Sequence, residues 1–141
     1  MSRFQAVRRE TRWHGGQVPY AYRPRDYLKQ PRFFGRKIDA EWKPFGDDST
    51  ERARVAAAYW QHLAACETLR IAGERGWGIA DLAEQIDAHP DTLRRKLYGE
   101  GPATLYDIAA WTVAVNSVTV LPAPPDMNRM FPSTGDSRPQ G

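Results

Sequence analysis

The sequence has little of what secreted, membrane-bound and disulfide-stabilised proteins depend on. It contains one cysteine, Cys66, which cannot form an internal disulfide and is expected to be a packed core thiol. No run of roughly 18 apolar residues predicts a membrane-spanning helix. The first residues, MSRFQAVRRE, are charged where a signal peptide would be apolar. We therefore expect a cytoplasmic protein without a membrane segment.

The patterns that support catalysis are also missing. His14, His62 and His89 lie far apart and lack the spacing of metal ligands. No glycine-rich phosphate loop, Ser/His/Asp set or pair of acidic residues suited to acid–base catalysis is evident. We therefore expect no enzyme activity, no metal, no cofactor and no small-molecule substrate, and binding is the function to consider.

Charge and composition divide the 141 residues unevenly. Residues 1–47 hold eleven Lys/Arg and five Asp/Glu, whereas residues 48–141 hold nine and twelve. The first segment is rich in aromatics, proline and glycine, which predicts an extended basic arm, with or without a short β-hairpin. Residues 121–141 are rich in Pro, Ser and Gly, which predicts a flexible tail. A helical domain is expected over residues 48–120.

Helical periodicity organises this central domain. Asp48, followed by Glu51, predicts the start of a long helix that ends near Gly76. Thr104, followed by Asp107, predicts the start of the last helix. The apolar face expected for that helix comprises Leu105, Ile108, Ala109, Trp111, Thr112 and Val115. The sequence therefore predicts an all-α fold, a small bundle of four to five helices.

Between these helices, residues 76–104 read as short helix, turn, short helix and glycine-bounded loop. Ile79, Leu82, Ala83 and Ile86 share one helical face, and Pro90 suits the first turn of the next helix. That helix carries Arg94, Arg95 and Lys96. This order of parts is typical of a helix-turn-helix, which places its second helix in the major groove of DNA.

The segment from about Leu69 to Val115 resembles the phage repressor-type, or lambda-repressor-like (XRE), helix-turn-helix family. The resemblance rests on these residues of the motif: Leu82, Ala83, Ile86, Thr92, Leu93, Leu97, Gly99, Leu105, Ile108 and Ala109. Asp87 stands where the family often has glycine, and Gly78 and Ile79 stand where it often has a phosphate-binding glutamine. Aspartate tolerates a left-handed backbone, so the turn remains possible. The resemblance implies a helical bundle without a cofactor, usually a dimer on double-stranded DNA.

Register with that family assigns base contacts to the start of the second helix, and basic residues around it are candidates for phosphate contacts. Expected base contacts are Pro90, Asp91, Thr92, Arg94 and Arg95, and expected phosphate contacts are Lys96 and Arg75. Arg94, Arg95 and Lys96 could instead form an ordinary solvated surface. In the arm, Arg23 and Arg25 are the preferred DNA contacts, although an arm that only packs on the helices is the favoured alternative.

The resulting hypothesis is a sequence-specific DNA-binding transcriptional regulator, such as a small phage or mobile-element repressor. One alternative is a helix-turn-helix bundle that binds a protein partner through its aromatic arm, which the net negative charge of residues 48–141 favours. Another is a DNA-binding antitoxin whose arm holds a toxin. A homodimer could form through Trp111 and its neighbours or through the arm, or the chain could act without pairing.

Overall fold

The computed structural model describes residues 22–116, and within this range the fold is helical. Its four α-helices are α1 (Ser49–Glu74), α2 (Ile79–Ile86), α3 (Pro90–Leu97) and α4 (Leu105–Ala114), preceded by two 3-10 turns at Pro24–Tyr27 and Pro31–Phe33. The expected all-α bundle is confirmed for these residues. The first 21 residues of the arm, residues 117–120 and the predicted tail lie outside the described range. No helix from residue 22 to residue 116 combines the length and apolar character needed to cross a membrane.

Local hydrogen bonds define the ends of α1 as the sequence predicts. The Asp48 side chain accepts a hydrogen bond from the Glu51 N–H at 2.9 Å, which satisfies one of the free donors of the first turn. The helix continues through Gly73. It ends where Gly76 adopts φ +74°, and the Trp77 N–H donates to the Ala72 carbonyl. Glycine has no Cβ to hinder this left-handed conformation.

The main core lies where α1, α2, α3 and α4 meet. Its buried side chains are Ala65, Leu82, Ala83, Leu93, Leu97, Ile108, Trp111 and Val115. Trp111 is 1% exposed, so among the possible routes to a homodimer the side chain of Trp111 itself does not offer a contact surface. The tryptophan fills the interior of the bundle instead.

The apolar face predicted for α4 is only partly correct. Ile108, Trp111 and Val115 are buried, but Leu105 is 68% exposed and Ala109 is also exposed. Both lie on the outward side of α4, because the other helices cover only the side that carries Ile108 and Trp111. An outward apolar strip results, since Tyr106 and Val113 are exposed as well.

Residues 22–45 form a compact layer against α1 and the end of α3. Leu28 and Phe34 are fully buried. A single antiparallel bridge joins Leu28 to Trp42, so no hairpin forms within the described part of the arm. The layer is fixed to α1 through His62, whose Nδ1 accepts a hydrogen bond from the Gly35 N–H at 3.0 Å. Nε2 must then carry the proton, and it donates to the Lys37 carbonyl at 2.9 Å.

Two glycines allow this layer to approach α3 closely. Gly35 has φ +76°, and a Cβ there would lie 2.4 Å from the Leu97 carbonyl oxygen. Gly99, just after α3, also has φ +76°, and its Cβ would lie 2.7 Å from ring carbons of Phe34. Backbone conformation and close packing both require glycine at these positions.

We expect Gly99→Ala to destabilise the fold, because it adds a methyl group against Phe34 and forces a strained φ. The free energy of unfolding should fall by more than about 1 kcal/mol. Gly73→Ala is the matched control. Gly73 lies within α1 with no atom within 4 Å of an added Cβ, so alanine should stabilise by roughly 0.5–1 kcal/mol. Denaturant unfolding measures both, and a Gly99→Ala protein as stable as wild type would refute the packing of Phe34.

His62 should make stability depend on pH. Burial lowers the pKa of His62 below its ordinary value of 6.5, although hydrogen bonds to the Lys37 and Ile38 carbonyls oppose this. Between pH 6.5 and the lower folded-state pKa, the unfolded chain therefore binds a proton that the folded chain does not. The contribution of His62 to the free energy of unfolding is therefore complete above pH 6.5 and is lost as the pH falls. The free energy of unfolding should change with a slope approaching about 1.4 kcal/mol per pH unit.

Denaturant unfolding between about pH 7 and about pH 5.5, above the main range of carboxylate titration, would measure this slope. An NMR titration in which the folded-state pKa of His62 equals that of an exposed histidine would contradict the argument.

Candidate nucleic-acid interface

The two short helices α2 and α3 are joined by a tight turn over residues 87–89. Asp87 has φ 63° and ψ 47°, which confirms that aspartate takes the left-handed conformation expected at this position. The Ala88 N–H donates to the Ala83 carbonyl at 2.9 Å and closes the end of α2. The Gly78 N–H donates to the Asp81 carboxylate at the start of α2. The unusual residues Asp87 and Gly78 are therefore compatible with two regular helices.

The start of α3 is exposed, while its inner face is anchored in the core. Leu93 and Leu97 are buried, and the His89 ring accepts a hydrogen bond from the Asp91 N–H at 3.2 Å. Pro90 occupies the first turn, as predicted. The outward residues, all exposed, are Pro90, Asp91, Thr92, Arg94 and Arg95. The five predicted base-contact residues therefore lie together on one accessible surface.

Two charges on this surface are paired and one is not. Arg94 forms an ion pair with the Asp91 carboxylate one turn earlier. The hydrogen bond from Arg94, together with its charge, lowers the pKa of Asp91 below its ordinary range. Arg95 forms no ion pair with any of residues 22–116. The guanidinium donors of Arg95 are therefore available to an external acceptor. Arg94 could bind such an acceptor only by breaking its ion pair with Asp91 or by contacting both groups at once.

Lys96 is held by the protein itself. Its Nζ lies 2.8 Å from the Asp107 Oδ2, and Asp107 also caps α4 by accepting from the Thr104 N–H at 2.8 Å. Burial raises the pKa of Asp107, but hydrogen bonds from Lys96 and Thr104 outweigh it and bring the pKa below its ordinary value. Lys96 thus joins α3 to α4, and its role as a phosphate contact stays a prediction.

Arg75 is also occupied within the fold. Its Nη2 donates to the Val115 carbonyl at 2.6 Å, and its guanidinium lies 5.1 Å from the centre of the Trp77 ring. These contacts connect the end of α1 to the end of α4. The predicted phosphate contact at Arg75 would compete with them.

The two preferred arginines of the arm lie in different settings. Arg23 is exposed at the described end of the arm. Arg25 is attached to the bundle, because its N–H donates to the Gly99 carbonyl at 3.0 Å and its guanidinium lies 3.9 Å from the Glu100 carboxylate. Arg25 therefore lies beside the end of α3. Arg23 does not share the contacts that Arg25 makes with Gly99 and Glu100.

The structure also assembles a basic groove that the sequence did not indicate as a unit. This arginine groove has a volume of about 470 Å³ and lies between the 3-10 turns and α3. Arg25, Arg32, Arg36 and Arg94 line it with Tyr98 and Glu100. The interleaving of arginine and aromatic residues was the available signal. Which arginines converge depends on how the arm folds back onto α3.

Residues 22–116 contain neither a metal site nor a reactive cysteine. No group of three or more His, Cys, Asp or Glu side chains suited to a metal ion occurs between residues 22 and 116. Burial raises the pKa of the Cys66 thiol to about 12, against a hydrogen bond from Gly35 that lowers it. Cys66 is therefore a protonated core thiol near neutral pH, as predicted.

No protein-family model matches the chain, and no curated protein or solved structure matches it significantly. The resemblance to repressor-type proteins therefore stays a prediction from the residues.

Proposed function

We propose that this protein is a sequence-specific DNA-binding regulator that uses α2 and α3 as a helix-turn-helix. The observation that carries the proposal is the outward face of α3, where Asp91, Thr92, Arg94 and Arg95 are all exposed while Leu93 and Leu97 fix the helix in the core. Such a helix enters the major groove with its first residues toward the base edges. A small phage or mobile-element repressor acting in the cytoplasm is the specific form of this proposal.

Arg95 is the leading candidate for base recognition. An arginine can donate two hydrogen bonds to the O6 and N7 atoms of guanine, which discriminates against other bases by about 1–3 kcal/mol. Arg95 is exposed and unpaired among the described residues, so binding requires no internal ion pair to break. Asp91 and Thr92 lie on the same surface, and suit a cytosine amino group and a thymine methyl group.

The exposed apolar strip of α4 supports a homodimer as part of this proposal. Leu105, Tyr106 and Val113 are 68%, 80% and 77% exposed. An apolar surface on a short helix is a typical place for self-association. A symmetric dimer would place two copies of α3 on the two halves of a palindromic site.

Arg95→Ala should weaken binding to a duplex selected from a random pool by about 5- to 150-fold, the equivalent of 1–3 kcal/mol, and relax the base preference at one position. Arg94→Ala should have a smaller effect, because Arg94 already interacts with Asp91. Gel-shift titration at fixed salt, with selection repeated for each variant, measures both quantities.

Arg70→Ala is the control for this experiment. Arg70 is exposed on α1 and paired with Glu67 and Glu74, so its loss should preserve sequence preference. If Arg95→Ala changes neither affinity nor base preference, α3 is not the reading helix. If wild type binds no duplex even at low salt, the protein-interaction alternative gains and the DNA proposal fails.

A Tyr106→Glu/Val113→Glu variant should shift the chain from dimer to monomer, since it places charge on an apolar contact surface. Sedimentation equilibrium measures the change. Glu84→Gln/Gln85→Glu, which alters exposed polar residues of α2 with no net charge change, is the control. A wild-type chain that is monomeric at high concentration and on DNA would refute the dimer.

A further inference from the structure

We propose that the arginine groove binds the phosphate backbone of the same duplex that α3 reads, so that the arm and α3 form one continuous DNA-binding surface. This inference rests on the proposed function, because it assumes that DNA is the ligand. It assigns a role to Arg32 and Arg36, which the base-contact hypothesis does not use. It also gives the folded part of the arm a second contact with the duplex.

The charge of the groove favours a ligand with more than one negative charge. Four arginines and one glutamate, Glu100, are the charged residues of its lining, and Asp91 pairs with Arg94 beside it, which leaves a formal charge of +2. Glu100 offsets Arg25 only weakly, since the two groups are 3.9 Å apart and partly exposed. Guanidinium groups bind phosphate oxygens through two parallel hydrogen bonds.

Aromatic contacts position two of the four guanidinium groups, those of Arg32 and Arg36, before any ligand arrives. Arg36 lies 4.0 Å from the centre of the Tyr98 ring, and Arg32 lies 4.8 Å from the centre of the Phe33 ring. An arginine placed over an aromatic face retains the N–H donors at the edge of its guanidinium plane. The groove is therefore preorganised, and binding loses less side-chain entropy than it would with free arginines.

The groove is continuous with the proposed reading surface. Arg94 belongs to both, as it lines the groove and lies next to Arg95 on α3. Tyr98 caps the C-terminal end of the same helix. The Arg25 N–H bond to the Gly99 carbonyl and the His62 bond to Gly35 fix the arm relative to α3. A duplex docked on the start of α3 would thus have its flanking phosphates next to Arg32 and Arg36.

Salt dependence tests this inference directly. Binding of full-length Arg32→Gln/Arg36→Gln to the selected duplex would be measured by fluorescence anisotropy over a range of KCl concentrations. The slope of log K against log[salt] should become shallower by about 0.9 for each phosphate that is no longer neutralised, so by about 1.8 for two. The affinity ratio between selected and unrelated duplexes should stay as in wild type, because phosphate contacts carry no sequence information.

The matched control is Lys29→Gln/Arg70→Gln, which removes the same charge from exposed residues that do not line the groove. Thermal melting would verify that both variants fold. A groove variant with the control's salt slope overturns the inference, and Arg95→Ala would still weaken binding if the proposed function holds. Wild type that binds no duplex at low salt overturns both proposals. A groove variant that loses sequence preference instead of salt slope also refutes the phosphate assignment.

Discussion

Two adjacent buried polar side chains of α1, Gln61 and His62, hold the rest of the structure in place. The Gln61 amide donates to the Lys96 and Gly101 carbonyls at 2.7 and 3.0 Å and accepts from the Ala103 N–H at 2.9 Å. The His62 ring holds the arm in the same way, because it accepts a hydrogen bond from the Gly35 N–H and donates one to the Lys37 carbonyl. Both side chains are at most 2% exposed. Removing Gln61 would take away the side-chain partner of the Gly101 carbonyl and of the Ala103 N–H, and removing His62 would take away the ring acceptor of the Gly35 N–H. Leaving a buried backbone group unpaired costs more than the hydrogen bond itself contributes.

The position of α3 follows from this constraint. A helix of eight residues has little stability alone, so tertiary contacts must fix it. Leu93 and Leu97 anchor one side, Gln61 holds the Lys96 carbonyl, and the Lys96–Asp107 pair joins α3 to α4. The contacts that hold α3 in the bundle are thus made by its inner side and its C-terminal end. The first turns of α3 are left exposed, and the proposed DNA contacts lie there. The arm, held by His62, brings further arginines to the other end of the helix.

Features governed by neighbouring residues were predictable from sequence. The caps at Asp48 and Thr104, the proline at the start of α3 and the left-handed Asp87 all depend on a few adjacent backbone groups. The inward side of α4 was harder, because the helix is apolar almost all round and periodicity does not distinguish Leu105 from Ile108. In the sequence His62 is an isolated histidine. Its partners Gly35 and Lys37 are backbone groups more than twenty residues away, so no sequence pattern marks them.

Amino-acid order alone was enough to set where the helices begin and end and which face of α3 carries charge, because capping and helical periodicity act over only a few residues. The packing of segments far apart in the chain determined which basic side chains remain available to a ligand. That packing paired Lys96 with Asp107 and Arg75 with the Val115 carbonyl, left Arg95 exposed, and gathered Arg25, Arg32 and Arg36 beside Arg94. These outcomes lie beyond local patterns, because buried hydrogen bonds and close glycine contacts between residues far apart in the chain fix how the segments meet.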